Sequence, residues 1–210
     1  MSKRGVFISL EGIEGCGKST QSKMLYEYLS QLGNCVILTR EPGGTSIAEK
    51  IRDLLLDPKN DSMTDTAELF LYLASRAQHV EQVIVPALNE GKIVICERFN
   101  DATYAYQGFA RGLDLNLLVD LTKIATSGLE PDLTLLLDLD VEEGLLRAEK
   151  LKNHRDRLES ESIDFHNKVR NGYLTIARNN PQRVKVIDAN GTIDEVHLRI
   201  RNCVDEMFSA

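Results

Sequence analysis

A glycine-rich loop directly after an apolar segment constrains this chain more than any other feature. The loop reads G-I-E-G-C-G-K-S over residues 12–19, and it follows the apolar residues 6–10. Residues 18–32 then carry leucines at helical spacing, which gives the order strand, loop, helix. In that order the pattern G-x-x-x-x-G-K-[S/T] is typical of a P-loop, whose backbone N–H groups surround phosphate oxygens at the start of a helix. The sequence therefore predicts a protein that binds a nucleoside triphosphate.

Two side chains of this loop have predicted roles of their own. Lys18 brings a positive charge to the β- and γ-phosphates, and the Ser19 hydroxyl can coordinate Mg²⁺. The alternative, a glycine-rich turn that binds nothing, is disfavoured by the strand and helix on either side. The predicted ATP-binding residues are Gly12, Ile13, Glu14, Gly15, Cys16, Gly17, Lys18, Ser19 and Thr20.

The rest of the chain alternates between apolar and helical segments. Further apolar runs occupy residues 36–38, 93–95, 133–137 and 184–187. Strands that alternate with helices predict a parallel sheet, and nearly continuous apolar strands predict one that is buried on both faces. Phosphate chemistry should then gather at the carboxyl ends of the strands. We expect helices at residues 18–32, 46–56, 64–89, 101–110, 114–127, 141–153, 160–179 and 192–207.

Composition narrows the class of protein. A chain of 210 residues, 42% hydrophobic and 27% charged, is long enough for a single domain over residues 1–210 with an ample core. No apolar run approaches the length of a membrane span, and no signal peptide is evident. The four cysteines form no C-x-x-C pair, which favours reduced thiols in the cytoplasm. The net charge of −7 argues against a broad nucleic-acid-binding surface. We therefore expect a cytoplasmic, non-membrane protein that concentrates arginines locally to bind phosphate.

Three arginines are candidates for phosphate contacts. Arg98 follows the third predicted strand, where a guanidinium could reach the mouth of the P-loop; the alternative is a structural ion pair with Glu97 or Asp101. Arg155 and Arg157 lie in a polar link at about residues 150–160, between two predicted helices. Such links are often mobile lids, and a solvated run of charges is the alternative.

An aromatic residue and an arginine share one face of the third predicted helix. Tyr72 and Arg76 are four residues apart, so their side chains are neighbours. Together they could stack on a base and hydrogen-bond to it. An aromatic residue in so apolar a helix is more often part of the core, and periodicity alone leaves both possibilities open.

Taken together, these motifs resemble those of bacterial thymidylate kinases. The matching segments follow the order of that family: residues 10–20, 40–45 with 51–52, 74–79, 97–99, 105–108, 156–159 and 165–166. The E-P-G-G-T and A-Y-Q-G segments are the most specific of them. The resemblance implies a P-loop NTP hydrolase-type three-layer α/β fold with a five-stranded parallel sheet of order 2-3-1-4-5, helices on both faces and a short lid. It also implies the reaction ATP + dTMP → ADP + dTDP with Mg²⁺, carried out by a homodimer.

The resemblance further implies roles for individual residues. Tyr72 would stack on thymine, Arg76 would hydrogen-bond to the base, Arg52 and Arg98 would bind the acceptor phosphate, and Glu14 would reach the sugar or the metal. The implied dTMP-binding residues are Glu14, Arg52, Tyr72, Arg76, Arg98, Thr103 and Gln107. The implied catalytic residues are Lys18, Arg98, Arg155 and Arg157, since a P-loop without a basic residue at positions 14–16 goes with arginines supplied by the lid.

One departure from the family leaves two alternatives open. Glu97 stands where the family usually has Asp, one methylene shorter, so it is a second candidate metal ligand after Ser19. A Glu-Arg pair at this point is also found in deoxynucleoside kinases, which phosphorylate a 5′-hydroxyl.

A P-loop switch or ATPase is the alternative from another class, although no N-K-x-D motif for reading guanine is present.

Overall fold

A five-stranded, all-parallel sheet of order β2-β3-β1-β4-β5 forms the centre of the computed structural model, which describes residues 4–151 and 156–209. The strands are β1 (Phe7–Glu11), β2 (Val36–Arg40), β3 (Ile93–Glu97), β4 (Leu133–Asp138) and β5 (Val184–Asp188). Every neighbouring pair is parallel. The predicted fold class and strand order are thus confirmed.

The central strand β1 is buried along its whole length. It pairs with β3 on one side and β4 on the other, and Ser9 lies opposite both Cys96 and Thr134. The Ser9 and Thr134 hydroxyls hydrogen-bond to each other at 2.8 Å, so the buried polar atoms within the sheet are satisfied. Apolar side chains pack on both faces of the sheet, Leu10 in one cluster and Phe7 in another. Burial on both faces explains why the inner strands β1, β3 and β4 are mostly apolar.

The helices agree with the predicted segments to within a few residues. Polar side chains cap several of them: Thr45 accepts a hydrogen bond from the N–H of Ala48 at the start of the helix Ser46–Leu56, and Ser162 accepts one from the N–H of Phe165 at the start of the helix Ile163–Asn179. The helices are α1 (Lys18–Gln31), α2 (Ser46–Leu56), α3 (Asp65–His79), α4 (Val85–Asn89), α5 (Asn100–Thr103), α6 (Leu115–Thr126), α7 (Val141–Leu151), α8 (Ile163–Asn179) and α9 (Ile193–Ser209), with a short 3₁₀ turn at Pro58–Asn60.

Two segments of π-helix interrupt the predicted helices. Val80–Ile84 joins α3 to α4, and Tyr104–Ala110 continues α5. Pro86 accounts for the first, because its ring has no N–H and clashes with the carbonyl four residues earlier, so the turn before it widens. The second brings Tyr106 and Gln107 to the wall of the pocket described below.

Within the described ranges, no helix is both long and apolar enough to cross a bilayer. The assignment of residues 1–210 to a single domain with a lid at about 150–160 stays a prediction. Residues 152–155 of that lid, Arg155 among them, lie outside the described residues.

Candidate active site

The P-loop owes its shape to glycines that no other residue could replace without strain. Gly12 and Gly15 have φ angles of 136° and 68°. A Cβ atom on Gly15 would come within 1.9 Å of the Gly144 carbonyl oxygen in α7, which means that the loop packs directly against that helix. Because α1 begins at Lys18, its first N–H groups and the positive end of its dipole lie at the loop.

A pocket of about 400 Å³ opens beside this loop. It brings together most of the residues predicted from the sequence, although they come from five separate segments. Gly12, Ile13 and Cys16 of the predicted set are buried in the loop and do not line the pocket. The predicted residues that line it are Glu14, Gly15, Gly17, Lys18, Ser19, Thr20, Arg52, Tyr72, Arg76, Glu97, Arg98, Thr103 and Gln107.

The Lys18 side chain folds back over its own loop. Its Nζ donates to the carbonyl oxygens of Gly12 at 3.0 Å and Ile13 at 2.7 Å. These neutral acceptors hold the ammonium at the pocket without neutralising it. A phosphate oxygen could therefore compete for Lys18 at little cost in lost ion pairing.

An oxygen-rich corner lies at the start of α1. Glu97, the last residue of β3, accepts a hydrogen bond from Ser19 Oγ at 2.6 Å and another from Ser22 Oγ at 2.8 Å. A hydroxyl and a carboxylate this close to a P-loop are hard oxygen donors that suit Mg²⁺, which takes few protein ligands and completes its shell with water and phosphate oxygens. Among the described residues no cluster of three or more His, Cys, Asp or Glu could hold a metal without such help.

Arg98 lies in a network of buried polar groups. Its guanidinium donates to Glu14 Oε1 at 2.8 Å, and to the Gly12 carbonyl and the Tyr173 hydroxyl at 3.1 Å each. Glu14 also accepts from the Tyr106 hydroxyl at 2.6 Å. Burial alone would raise the pKa of Glu14, but the Arg98 guanidinium and neighbouring positive groups hold it well below its usual range. The alternative considered for Arg98, an ion pair with Glu97 or Asp101, is not formed; its carboxylate partner is Glu14.

Arg98 also has an unusual backbone. Its φ angle is +65°, which a residue with a side chain rarely adopts. The Arg98 N–H is fixed to the Leu10 carbonyl at 2.9 Å, which ties this turn to the strand that carries the P-loop. Strain of this kind is typical of functional sites.

Arg76 is held by a second buried carboxylate. Its Nε donates to Glu41 Oε2 at 2.7 Å, and its two terminal nitrogens donate to Thr103 Oγ1 at 2.7 Å and to the Phe99 carbonyl at 2.9 Å. His79 bonds to the other Glu41 oxygen at 3.0 Å. Burial favours protonation of Glu41, but the charge of Arg76 and the hydrogen bond from His79 lower its pKa below the usual value. The side chain thus keeps one orientation before any ligand binds.

Two further arginines crowd the pocket near the start of α2. Arg52 donates from Nη1 to the Pro42 carbonyl at 2.9 Å, and Arg40 donates to the same oxygen at 3.2 Å. Burial, and after it the like charge of Arg40, lower the pKa of Arg52. Two guanidinium groups that meet at one acceptor mark a place where an anion would be stabilised.

Arg157 does not lie where a lid arginine was expected. Its side chain is buried, and its Nη2 contacts Glu68 Oε2 at 2.5 Å while its Nε donates to the Leu55 carbonyl at 2.9 Å. It does not line the pocket. The physical reason is that the buried carboxylate of Glu68 needs cationic partners, so it draws Arg157 inward. The charged, polar sequence around Arg157 does not indicate that its partner is a buried carboxylate 89 residues earlier in the chain.

Several pocket residues were not predicted as site residues. Arg40, Glu41 and Tyr106 belong to matched segments and could have been selected for that reason. Leu56 and Ala148 carry no chemical signal, because only the packing of α2 and α7 brings them to the pocket.

Comparisons with known proteins agree with this geometry. The thymidylate kinase family model matches residues 10–200. The thymidylate kinase of Syntrophotalea carbinolica is 56% identical over 199 residues, with 92% of each chain covered. That of Geotalea daltonii is 52% identical over 206 residues, or 95% of this chain and 96% of the relative. The crystal structure of thymidylate kinase from Ehrlichia chaffeensis is 38% identical with a TM-score of 0.78, covering 96% of this chain and 99% of its own. This chain belongs to the thymidylate kinase family.

Proposed function

We propose that this chain transfers the γ-phosphate of ATP to dTMP, giving ADP and dTDP, within the pocket beside the P-loop. Membership of the thymidylate kinase family gives the reaction. The observation that carries the site assignment is that one pocket is lined both by the P-loop residues Lys18 and Ser19 and by the arginine set of the acceptor side. The donor and the acceptor phosphates can then bind side by side within one pocket.

The donor end of the pocket is assigned to the triphosphate. Lys18 would exchange the carbonyls of Gly12 and Ile13 for the β- and γ-phosphate oxygens, and the N–H groups at the start of α1 would bind the same oxygens. Both contacts strengthen as charge moves during phosphoryl transfer, which needs positioning and charge stabilisation rather than covalent chemistry.

Ser19, with Glu97 beside it, is assigned to Mg²⁺. The Ser19 Oγ to Glu97 Oε2 distance of 2.6 Å supports this, because both oxygens could serve one cation directly or through water. Mg²⁺ bound there would neutralise charge on the β- and γ-phosphates. The longer side chain of Glu97 is compatible with this corner, where it already receives two hydroxyl groups.

The acceptor end is assigned to dTMP. Arg52 and Arg98 would bind its phosphate, Tyr72 would stack on thymine, and Arg76 would donate to the base. Thr103 accepts a hydrogen bond from Arg76. In this proposal Thr103 therefore also lies beside the thymine ring. Because the attacking phosphate oxygen is already anionic, no strong general base is required.

The lid arginine is assigned to Arg155. The P-loop has no basic residue between Gly12 and Lys18, so another cation must meet the charge shared by donor and acceptor. Arg157 is already engaged by Glu68, and in this proposal it anchors the foot of the lid.

An assay with a panel of acceptors tests this function. With Mg²⁺ and ATP, dTMP should be phosphorylated fastest, dUMP less efficiently by about tenfold because it lacks one methyl group, and dCMP much less. Thymidine should not react. Turnover of thymidine in place of dTMP would establish the deoxynucleoside kinase alternative, and ATP hydrolysis without any acceptor would establish the ATPase. Chelation of Mg²⁺ should abolish the transfer.

We also propose that the protein is cytoplasmic, in keeping with its four free cysteines. We propose further that it is a homodimer. α3 packs between α2 and α6, and the three helices leave large apolar side chains exposed. These are Ile47, Leu54, Phe70, Leu115, Leu117, Val119 and Ile124. Such a surface is typical of protein interfaces. Light scattering should give a mass near twice 23.5 kDa, and Phe70→Glu should convert the dimer to monomers; a monomeric wild-type protein would contradict the proposal.

A further inference from the structure

A third buried carboxylate, Glu68, lies behind the pocket wall. It is 1% exposed, on α3, and does not line the pocket. Its Oε1 accepts a hydrogen bond from Gln107 Nε2 at 2.9 Å. Its Oε2 accepts from Arg157 Nη2 at 2.5 Å and from Arg111 Nη2 at 3.2 Å.

The charge on Glu68 is secured by these donors. Burial by itself raises the pKa of the carboxyl group, but the hydrogen bonds from Gln107, Arg111 and Arg157 bring it below its usual value. Glu68 is therefore ionised at neutral pH, and an ionised carboxylate can only accept hydrogen bonds.

This fixes the orientation of the Gln107 amide. The NH₂ end must face Glu68, since the oxygen end would meet another acceptor. Gln107 lines the pocket, and within residues 4–151 and 156–209 no group donates to its Oε1. The pocket is thus offered a carbonyl acceptor at this point.

Arg76 supplies the opposite polarity nearby. A guanidinium has five N–H groups, and three are used on Glu41, Thr103 and Phe99. The remaining ones can only donate. A donor beside an acceptor matches thymine or uracil, in which O4 accepts and N3–H donates. It opposes cytosine, whose 4-amino group donates and whose N3 accepts.

We propose that Glu68 is a positioning residue that sets base specificity by locking the Gln107 amide with its oxygen toward the pocket. The inference rests on the proposed function, because it takes dTMP as the acceptor. Glu68 touches no substrate; it acts through Gln107, and the cationic contacts from Arg111 and Arg157 keep it charged and in place. Its contribution is to the choice between bases rather than to the transfer step.

The test is Glu68→Gln, measured as kcat/KM for dTMP and dCMP in the same preparation. A neutral amide at position 68 can donate or accept, so the Gln107 amide is free to turn. The preference for dTMP over dCMP should fall by roughly tenfold or more, the scale of one mispaired buried hydrogen bond. A general loss of packing would instead lower kcat/KM for both substrates by the same factor, and the ratio of the two would not change.

Glu161→Gln is the matched control. Glu161 pairs with Arg111 at 2.7 Å but has no contact with Gln107, so this variant should keep the wild-type ratio. If Glu68→Gln does not fold, Gln107→Met removes the locked amide and should lower the ratio as well. Folded Glu68→Gln with the wild-type ratio, or Gln107→Met with that ratio, overturns the inference.

Dissociation constants for dTMP and dCMP, measured by calorimetry, separate this inference from the proposed function. A wild-type protein that fails to phosphorylate dTMP would contradict the proposed function. The ratio of the two dissociation constants in wild type and Glu68→Gln would still decide the role of Glu68.

Discussion

The donor and acceptor ends of the pocket differ in how firmly their cations are held. At the donor end, Lys18 rests on two neutral carbonyl oxygens of its own loop. At the acceptor end, Arg98 and Arg76 are each bound to a buried carboxylate, Glu14 and Glu41. The cation of the donor end can therefore exchange its partners readily. The cations of the acceptor end are already held in place by ion pairs.

This difference has energetic consequences. The acceptor end is preorganised, so the cost of ordering its side chains is met during folding and not when dTMP binds. The donor end must exchange contacts when a triphosphate arrives. We therefore expect substitutions at the donor end to change the rate with little effect on stability, and substitutions at the acceptor end to change substrate binding and stability together.

The largest expected effect comes from Arg155, and its comparison with Arg157 separates an effect on rate from an effect on stability. Arg155→Ala should lower kcat by about 10³, because arginines that meet transition-state charge contribute on that scale. ATP affinity and Tm should barely change. Arg157→Ala leaves Glu68 short of one cation and should cost about 2 kcal/mol of stability, or roughly 5 °C in Tm.

Steady-state kinetics, ATP titration and thermal unfolding of both variants check this prediction. Wild-type kcat in Arg155→Ala would remove the lid arginine from the mechanism. A loss of kcat near 10³ in Arg157→Ala with unchanged Tm would mean that Arg157 leaves Glu68 during the reaction.

Lys18→Ala is the next largest and tests the donor end directly. Removing its charge should lower kcat by about 10²–10³, the range seen when one preorganised transition-state donor is lost. No buried ion pair is broken, so Tm should stay within about 2 °C. Kinetics and thermal unfolding of the purified variant check both parts. A variant with wild-type kcat would exclude the P-loop assignment. A variant that does not fold would contradict the view that Lys18 contributes little to stability.

Arg98→Lys tests the fixed acceptor end. A lysine keeps the charge but cannot reach Glu14, Gly12 and Tyr173 at once, so KM for dTMP should rise by roughly tenfold or more while KM for ATP changes little. The matched control is Arg183→Lys. Arg183 has nearly the same side-chain exposure, 20% against 19%, and binds the buried Asp101, but it does not line the pocket.

Both variants should be less stable than the wild type. Only Arg98→Lys should bind dTMP more weakly. Calorimetric titration with dTMP and thermal unfolding measure the two effects separately. Equal KM changes in the two variants would show that general packing, and not the acceptor site, is responsible.

The sequence predicted the two ends unequally, and the difference has a physical cause. The P-loop is local, so spacing within one segment identified Lys18 and Ser19. The resemblance implied the sheet order and the reaction from several motifs that occur in the family's order. The structure confirmed the sheet order, and the comparisons confirmed the family and its reaction. The roles of the individual site residues stay predictions.

The acceptor network could not be predicted from spacing. Glu41 and Glu68 reach their arginines across 35 and 89 residues of chain, and single motifs do not show which charges become buried together. For this reason the burial of Arg157 against Glu68 was not foreseen when Arg157 was assigned to a mobile lid. For the same reason Glu14 was expected at the sugar or the metal without its contact to Arg98. The π-helical segment before Pro86 was not predicted either: a continuous helix was expected over residues 64–89, although the proline is visible in the sequence.

The smallest expected effect on activity concerns Glu11, a buried carboxyl group that does not line the pocket. It accepts from the Phe99 N–H at 2.6 Å and from the Tyr173 hydroxyl at 2.7 Å, next to the groups that hold Arg98. Burial, with the nearby Asp101 charge, raises the pKa of Glu11 from 4.5 to about 7. The folded protein therefore keeps this proton at a pH where the unfolded chain has lost it, and stability should fall as pH rises from about 4.5 to 7.

A shift of that size corresponds to about 3 kcal/mol of unfolding free energy. Urea unfolding of wild type and Glu11→Gln at pH 5 and pH 8 measures it: the wild type should lose up to that amount relative to the variant, which cannot titrate. Glu14→Gln is the contrasting control, since the lowered pKa of Glu14 stabilises the protein above about 4.5 and that stabilisation is lost toward acid. Measured at pH 3 and pH 5, Glu14→Gln should therefore differ from wild type with a pH slope opposite to the one that Glu11→Gln shows between pH 5 and pH 8. Parallel slopes would mean that the charge of Arg98 reaches Glu11 as strongly as it reaches Glu14, and the acceptor network would then act as one unit instead of a set of separate pairs.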